Sequence, residues 1–407
     1  MSMKRQLRYG ASSTLQLDVP ADALIADCTD VPGTVIGDPA MAAMAALSRP
    51  MDFPPLCEAV VPGDRVVIAV DPDVPQAGQI VAGVVRALLE TSVEASDITI
   101  LQAERHVPVA DLASQLPAEA GGVNFAVHDP ADRGQLAYLA ASKDASPIVL
   151  NRLLCDADLV LPVNLLRPES SLFYAGPHAG LRATFADVQA QRQFRAPKGM
   201  VEPARVRRRW DEANEVAWLL GVQLTLQVVA GPGDTVLHVL AGHEDEVSRE
   251  GRELVNAAWE YQVSERAELV VATIEGELDN QSWENVGRAL HAARQVCLHD
   301  GTIILCTDLS REFGPALKRL AGCEDRERLL DRLENKRSED AMVAWLLLEA
   351  RDASHVFLLS QLAEDAVESL GMGYVDRPEK INRFCRRYGS CILLANAHRA
   401  SLRTAEL

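Results

Sequence analysis

LVLPVNLLRPESSLFYAGPHAGLR, residues 159–182, joins an apolar run to a glycine-punctuated loop that carries Tyr174, His178 and Arg182. The run Leu159–Val163 is typical of a strand buried in a sheet, and the loop begins where this strand stops. In an open parallel sheet, ligands bind in the crevice beyond the carboxyl ends of the strands. The stretch therefore predicts an α/β fold with a ligand site at this loop.

The preceding segments alternate strand and helix. Arg65–Val70 is a continuous β-branched run that ends at Asp71, and a helix with one apolar stripe is predicted over 76–92. Further strands of the same sheet are predicted at 98–102, 124–127, 147–150 and 158–163. This alternation indicates a parallel sheet. Gly231-Pro-Gly233 predicts a hairpin turn between strands at 222–229 and 235–240.

A second unit repeats the pattern from residue 268 onward. Its predicted elements are strand 268–273, helix 280–297, strand 301–306, helices within 311–350, and strands 355–359 and 390–395. We therefore predict two α/β domains with mostly parallel sheets, residues 1–264 and 265–407, with a ligand cleft between them.

Charge and cysteine usage narrow the class of partner. The net charge of -18 repels phosphate backbones and anionic lipid surfaces, which argues against nucleic acid and membranes and favours a small-molecule partner. The eight cysteines form no C-x-x-C pair, as expected in a reducing cytoplasm. No apolar run is long enough for a signal peptide or a membrane span, so the cytoplasm is the expected location. The sequence sets no oligomeric state.

Short motifs in one order resemble the nickel-dependent lactate racemase family over almost the whole chain. They are LRYG at 7–10, ALSRPMDFPPL ending at Leu56, DITIL at 97–101, HDP at 128–130, LNRLLCDADLVLPV at 150–163, AGPHAGLRA at 175–183 and AGHEDE at 241–246. The resemblance implies a two-domain racemase or epimerase. In that family a nickel pincer nucleotide is tethered to a lysine, one histidine binds the nickel, and two other histidines exchange a proton with the substrate.

Only some of the family's functional residues are found at the matching positions of this chain. His106 matches the first catalytic histidine, but Leu172 stands at the second, Arg182 stands at the tethering lysine, and the nickel-binding histidine falls near Lys198. A guanidinium stays protonated and is a poor nucleophile, so any pincer cofactor would be held non-covalently, its phosphate on Arg182. Another divalent metal remains an alternative cofactor. Arg182 could also simply pair with a carboxylate.

His178 lies outside the family pattern, and with His106 it could form a proton-relay pair or a metal site. We predict both as catalytic and His178 also as a metal ligand. The residues predicted to bind the cofactor are Asp71, Tyr174, Gly176, Gly180 and Arg182, and those predicted to bind the substrate are Trp283, Glu284 and Arg288. Asp71 could instead cap a turn, and the two glycines could serve a tight turn.

The acidic residues Asp71, Asp73, Asp279 and Glu284 predict an acidic cleft, which disfavours a simple carboxylate substrate. Two functions follow. The first is a lactate-racemase-like isomerase, acting on a 2-hydroxy acid or sugar-acid-like substrate by hydride and proton transfer. The second is a catalytically degenerate paralogue that acts as a small-molecule-binding sensor or scaffold.

Overall fold

The computed structural model describes residues 2–103, 108–143, 145–172, 176–197, 203–322 and 338–405, together with Leu329 and Leu333. Within these ranges, no helix is both long enough and apolar enough to span a bilayer. The predicted residues His106 and Tyr174, and also Lys198, lie outside the described residues.

The strands and helices follow each other along the chain as the apolar periodicity indicates. The strands are β1 (Ser2–Tyr9), β2 (Ser13–Pro20), β3 (Leu24–Cys28), β4 (Val66–Val70), β5 (Ile98–Ala103), β6 (Asn124–His128), β7 (Leu136–Ala141), β8 (Pro147–Asn151), β9 (Leu159–Leu165), β10 (Thr225–Ala230), β11 (Val236–Gly242), β12 (Glu260–Val263), β13 (Ala267–Thr273), β14 (Cys297–Cys306), β15 (Ser354–Leu359), β16 (Gly373–Tyr374), β17 (Cys391–Leu394) and β18 (Ser401–Thr404). The α-helices are α1 (Pro39–Ser48), α2 (Leu56–Ala59), α3 (Ala77–Leu89), α4 (Val109–Ala113), α5 (Arg152–Asp156), α6 (Ala179–Phe185), α7 (Val188–Phe194), α8 (Pro203–Leu219), α9 (Glu244–Trp259), α10 (Trp283–Val296), α11 (Pro315–Ala321), α12 (Ala341–Ala353), α13 (Glu364–Ser369) and α14 (Ile381–Arg387).

The first six-stranded sheet has the order β11-β10-β9-β4-β5-β6. Its strands are parallel except β11, which returns antiparallel to β10 through the predicted turn at 231–233. All five residues of β4, VVIAV, are buried because both faces of the sheet are covered. Val66, Ile68 and Val70 pack with α1 and α3, and the alternate residues pack in the cluster that includes α6 and α8. The parallel-sheet prediction for this unit is confirmed.

The second six-stranded sheet has the order β16-β15-β14-β13-β17-β3, and all its pairings are parallel. One face packs against α10 and α12, and the other packs against the β1–β2 hairpin and α14. The N-terminal segment 2–28 therefore packs with the C-terminal sheet, although it precedes the first sheet in the chain. The boundary at 264/265 stays a prediction, and it would assign this segment to the first domain.

One strand prediction is wrong in its pairing. The strand at 147–150 exists as β8, but it pairs antiparallel with β7 in a separate two-stranded ribbon instead of joining the parallel sheet. Its apolar run is too short to distinguish a buried sheet strand from a ribbon strand. The partner strand β7 carries the half-buried pattern LAYLAA, which gave no strand prediction.

Candidate functional site

The loop that ends at Arg182 lies across the carboxyl ends of the first sheet. Nδ2 of Asn164, in β9, donates to the carbonyl oxygen of Pro177 at 2.9 Å. A Cβ on Gly180 would stand 2.6 Å from Oδ1 of Asn164 and 3.6 Å from Oδ2 of Asp71. Only glycine therefore lets the first turn of α6 approach the strand ends this closely.

An ion-pair network crosses from the first unit to the second beside this loop. Oδ2 of Asp73, which follows β4, lies 2.5 Å from Nη2 of Arg167 and 2.9 Å from Nη2 of Arg288 in α10. Nη2 of Arg288 also contacts Oε1 of Glu284 at 2.6 Å. Only 6% of the Arg288 side chain and 13% of the Arg167 side chain are exposed, so water screens these charges weakly. Two guanidinium groups from different units thus converge on one carboxylate.

Burial changes the pKa of a carboxyl group beside this network. Burial raises the pKa of the Asp71 carboxyl, and the neighbouring Asp73 raises it further. Oδ1 of Asp71 accepts a hydrogen bond from the backbone N–H of Asp73 at 2.9 Å. Asp71 therefore caps a turn and also lines the cleft, and its role in cofactor binding stays a prediction.

A buried histidine stands behind these arginines, after β17. Nε2 of His398 accepts from Nε of Arg399 at 3.2 Å, and Arg399 also donates to the carbonyl oxygen of Gly231 at 2.8 Å. Burial lowers the pKa of His398 well below its usual value, and the positive charges of Arg399, Arg288 and Arg167 lower it further. His398 is therefore neutral in the folded protein at neutral pH.

Two adjoining cavities form the cleft. The larger, about 300 Å³, is lined by Ala103, His128, Pro130, Thr184, Gln191, Arg195 and Glu339. The smaller has a volume of about 60 Å³. Half of its described lining residues are charged: Asp71, Asp73, Arg167, Arg195, Glu284 and Arg288. Thr184 and Arg195 line both cavities, which therefore lie next to each other. The volume of the cleft suits a small metabolite.

The cleft is less acidic than expected: among the described lining residues of its two cavities, four carboxylates stand against three guanidinium groups. Asp279 is an exposed residue that contacts Arg311 at 3.7 Å, and it does not line the cleft cavities. The three carboxylates that do line the smaller cavity face three guanidinium groups. Distant segments supply these arginines, so counting acids near the strand ends overestimated the negative charge.

His128 closes the end of β6. Its Nε2 contacts the carbonyl oxygen of Ala186 at 3.0 Å, and its Nδ1 contacts Nδ2 of Asn151 at 3.0 Å. Burial lowers the pKa of His128, so the ring is neutral, with Nε2 donating and Nδ1 accepting. The ring connects β6, β8 and the end of α6 and also lines the larger cavity.

His178 lies elsewhere than the predicted proton relay requires. It is fully buried, and its Nε2 lies 2.8 Å from Oε2 of Glu244 at the start of α9. Burial raises the pKa of Glu244, but the hydrogen bond to His178 and the charges of His178 and His243 together lower it below its usual value. His178 does not line the cleft cavities. Its roles as a catalytic residue and a metal ligand stay predictions without support from this geometry.

Arg182 also points away from the cleft. Its Nη1 contacts Oε2 of Glu212 in α8 at 2.7 Å, and it lines a separate cavity on the far side of α6. Of the two readings for this side chain, pairing with a carboxylate is the one observed. Gly176 has a φ of +85° and packs against Trp210, whose Nε1 would stand 2.9 Å from an added Cβ, so the glycine serves the turn and its packing.

The three predicted substrate residues lie at the start of α10, which Ser282 caps by accepting from the backbone N–H of Asn285. Glu284 and Arg288 line the smaller cavity. Trp283 packs edge-on against Phe313 and donates to the carbonyl oxygen of Arg311 at 3.1 Å. It therefore fixes the helix and is not among the residues that line the cleft.

Comparison with known proteins identifies the N-terminal part of the chain. Residues 9–192 match the family model of the lactate racemase N-terminal domain. This part of the chain is therefore a domain of the lactate racemase N-terminal type. The resemblance drawn from the motifs is thereby confirmed, and no curated protein matches the chain.

Solved structures extend the likeness to the whole fold. The chain is similar to the lactate racemase apoprotein from Thermoanaerobacterium thermosaccharolyticum, with a TM-score of 0.81 at 16% identity, covering 98% of this chain and 100% of the other. It is also similar to a protein from Thermotoga maritima, with a TM-score of 0.68 at 18% identity, covering 91% of this chain and 100% of the other. At these identities the likeness establishes the fold: the two-domain α/β arrangement is that of lactate racemase.

The residues described here do not fit a tethered nickel pincer nucleotide. Arg182, at the tethering position, is paired with Glu212, and Leu172, at the second catalytic histidine, is buried in the apolar core of the second unit. Among the described residues, no three His, Cys, Asp or Glu side chains come together to hold a metal ion. The described residues therefore offer neither a tether nor a metal-ligand cluster for this cofactor.

Sequence reasoning missed two arginines of the cleft, Arg167 and Arg195. Arg167 opens the loop after β9, and Arg195 is the residue at which α7 ends. Arg195 is buried and only 13% of the Arg167 side chain is exposed, which is uncommon for charged residues unless a carboxylate or a ligand faces them. A signal for Arg167 was present, because it directly follows a strand end of the first sheet.

Proposed function

We propose that the protein is a two-domain clamp that binds a small carboxylate-bearing molecule in the cleft, in the class of 2-hydroxy acids and sugar acids. The observation that carries the proposal is the convergence of Arg167 and Arg288, one from each unit, on a single carboxylate oxygen of Asp73. Guanidinium groups recognise carboxylates with directed, charge-assisted hydrogen bonds. A ligand carboxylate would take the place of Asp73 between them.

The larger cavity supplies the rest of the binding site. Its 300 Å³ would hold the body of the ligand, with Thr184 and Gln191 as polar partners for hydroxyl groups. Glu339, before α12, brings the second unit to the same cavity. Binding between two units favours a sensor or scaffold that responds by a change in the relative position of its domains.

A lactate-racemase-like isomerase is the second candidate. One support is the match of residues 9–192 to the lactate racemase N-terminal domain. The other is the Asp71 carboxyl, whose pKa is raised by burial. A buried carboxyl of this kind can take a proton from a carbon next to a bound carboxylate and return it. This chemistry uses the chain's own residues, and the nickel pincer and other divalent metals are not part of the proposal.

The expected partner is a small molecule, because the net charge of -18 disfavours nucleic acid and anionic membranes. We also propose a cytoplasmic location. In the part of the chain that the structure describes, seven cysteines are free, and five of these are buried. Unpaired thiols are typical of a reducing compartment.

The test is a thermal-shift titration with both enantiomers of lactate and glycerate and with gluconate, run alongside neutral polyols of matching size. A clamp for carboxylates is stabilised by at least one acid and by none of the polyols, with about 2.7 kcal/mol expected at 100 times the dissociation constant. Stabilisation by the polyols alone, or by no compound, would contradict the proposal.

Proton exchange then separates the two candidates. The ligand found is incubated with the protein in D₂O, and deuterium at its α-carbon is measured by NMR. A binding protein leaves the α-hydrogen in place. An isomerase that works through Asp71 exchanges it, and Asp71→Asn lowers the exchange rate by about 10²–10⁴-fold.

A further inference from the structure

A third cavity adjoins the smaller cavity of the cleft. Its volume is about 50 Å³, and we call it the side pocket. Asp71, Arg167 and the first turn of α6 line both the side pocket and the smaller cleft cavity, so the two lie next to each other. A water molecule needs about 10–15 Å³ of cavity space, so the side pocket takes about three or four non-hydrogen atoms. It is too small for the body of a sugar acid.

Apolar side chains form one wall of the side pocket. Leu166, directly after β9, lines it together with Val255 of α9. The helix lies close to this strand end because Gly251 leaves room for Leu166: a Cβ on Gly251 would stand 2.5 Å from Cδ1 of Leu166. Val255 is buried. The wall is therefore held in place by close packing between α9 and the end of β9.

Ser248, also in α9, carries a buried hydroxyl group that lacks a hydrogen bond. The residue lines the side pocket, and its Oγ has no hydrogen-bond partner among the described residues. One turn earlier in the helix, Oε2 of Glu244 lies 2.8 Å from Nε2 of His178, which holds the start of α9 against the loop before α6. An unsatisfied buried hydroxyl destabilises the folded protein, and a polar group of a ligand in the side pocket would remove this cost.

Two arginines line the side pocket, and both are paired with carboxylates. Arg167 contacts Asp73 and, in the proposed function, binds the ligand carboxylate. Nε of Arg252 lies 2.9 Å from Oε1 of Glu169, and about half of the Arg252 side chain is exposed, so this pair stands at the surface. A second anionic group on the ligand would have to compete with Glu169. The side pocket therefore favours an uncharged polar group.

We infer that the side pocket receives the 2-hydroxyl group of the ligand and that Ser248 recognises it. The inference rests on the proposed function, in which Arg167 binds the ligand carboxylate. The carbon that carries the 2-hydroxyl group is bonded to this carboxylate, and Arg167 itself lines the side pocket. A serine hydroxyl donates and accepts, so it can pair with another hydroxyl in either direction. Ser248 is thus a specificity-determining residue that separates 2-hydroxy acids from acids without this group.

The test is isothermal titration of the full chain with two matched pairs of acids, lactate with propanoate and gluconate with 2-deoxygluconate. The members of each pair differ only in the 2-hydroxyl group. We expect the unchanged protein to bind the 2-hydroxy acid of at least one pair more tightly than its partner by about three- to tenfold, the effect of one hydrogen bond between uncharged groups. Ser248→Ala is expected to lower this ratio of affinities to below about twofold.

The matched control is Ser114→Ala, which removes a hydroxyl group from an exposed serine outside the side pocket. This control should keep the ratio of the unchanged protein. Equal affinities for the two members of each pair, or an unchanged ratio in Ser248→Ala, would overturn the inference and leave the carboxylate clamp standing. Binding of none of the four acids would overturn the clamp and the inference with it.

Discussion

The cleft and the separate cavity beside α6 both contain arginines, but they differ in the charges of their described lining residues. We call the second cavity the arginine pocket because Arg182, Arg205, Arg208 and Arg209 line it. In the smaller cleft cavity, Asp71, Asp73 and Glu284 stand against Arg167, Arg195 and Arg288, whereas the described lining of the arginine pocket has four arginines and Glu212 alone. The cleft is therefore neutralised from within, and a ligand has to compete with Asp73. The arginine pocket, in contrast, has a single carboxylate among its described lining residues.

The two sites also differ in how much their ion pairs contribute to the stability of the fold. The cleft pairs join two units and are buried, so removing one partner leaves an uncompensated charge in a region of low dielectric constant. The Arg208–Glu212 pair of the pocket lies within one helix, and 56% of the Arg208 side chain is exposed. Exposed pairs of this kind contribute little to stability.

The largest effect is expected from Arg288→Ala. It removes the cation that contacts both Asp73 and Glu284, and it is expected to lower the free energy of unfolding by about 3–5 kcal/mol. Arg208→Ala, the matched variant of the arginine pocket, is expected to lower it by less than about 1 kcal/mol. Urea denaturation followed by circular dichroism measures both values.

Equal losses in the two variants would break the comparison, because they would mean that the cleft network contributes no more than an exposed helix pair. A loss for Arg288→Ala without any change in its secondary structure before unfolding would support it, since the folded state is then intact and only its stability has changed.

A smaller effect is expected from His398→Asn, and it depends on pH. His398 is neutral in the fold because burial lowers its pKa, so below about pH 6.5 the unfolded chain binds a proton that the folded protein excludes. The free energy of unfolding of the unchanged protein therefore falls as the pH drops from 7 to 5, by up to about 1.4 kcal/mol per pH unit from this group.

Asparagine does not titrate, so the variant should lose less stability over the same range. Urea denaturation at pH 7, 6 and 5 gives the two slopes. Identical slopes would show that His398 is protonated in the fold, and the arginines around it would then have to be less closely grouped than the structure has them.

The sequence predicted the scaffold well because burial leaves local patterns. The run VVIAV of β4 and the apolar stripe of α3 follow directly from periodicity, and both elements lie where they were predicted. The glycine turn at 231–233 could be predicted from the sequence in the same way. The pairing of β8 with β7 was not, because pairing is a contact between segments and an apolar run of a few residues fits several partners.

The site was harder to predict for the same reason. Asp73 contacts Arg167 and Arg288, which lie 94 and 215 residues away in the chain. No local sequence motif therefore indicates the network. Arg288 was predicted as a substrate residue, but its contact with Asp73 was not. His178 was predicted for the cleft from its place in the loop, but the course of the chain into α6 turns its ring toward Glu244.

The most direct test of the clamp is calorimetric titration of Asp73→Asn and of the unchanged protein with the acid selected in the thermal-shift panel. Asparagine keeps the size of the side chain and removes the internal carboxylate from Arg167 and Arg288. If these two arginines bind the ligand carboxylate, the variant binds the acid more tightly, by about tenfold. Equal or weaker binding by Asp73→Asn would show that the ligand does not take the place of Asp73.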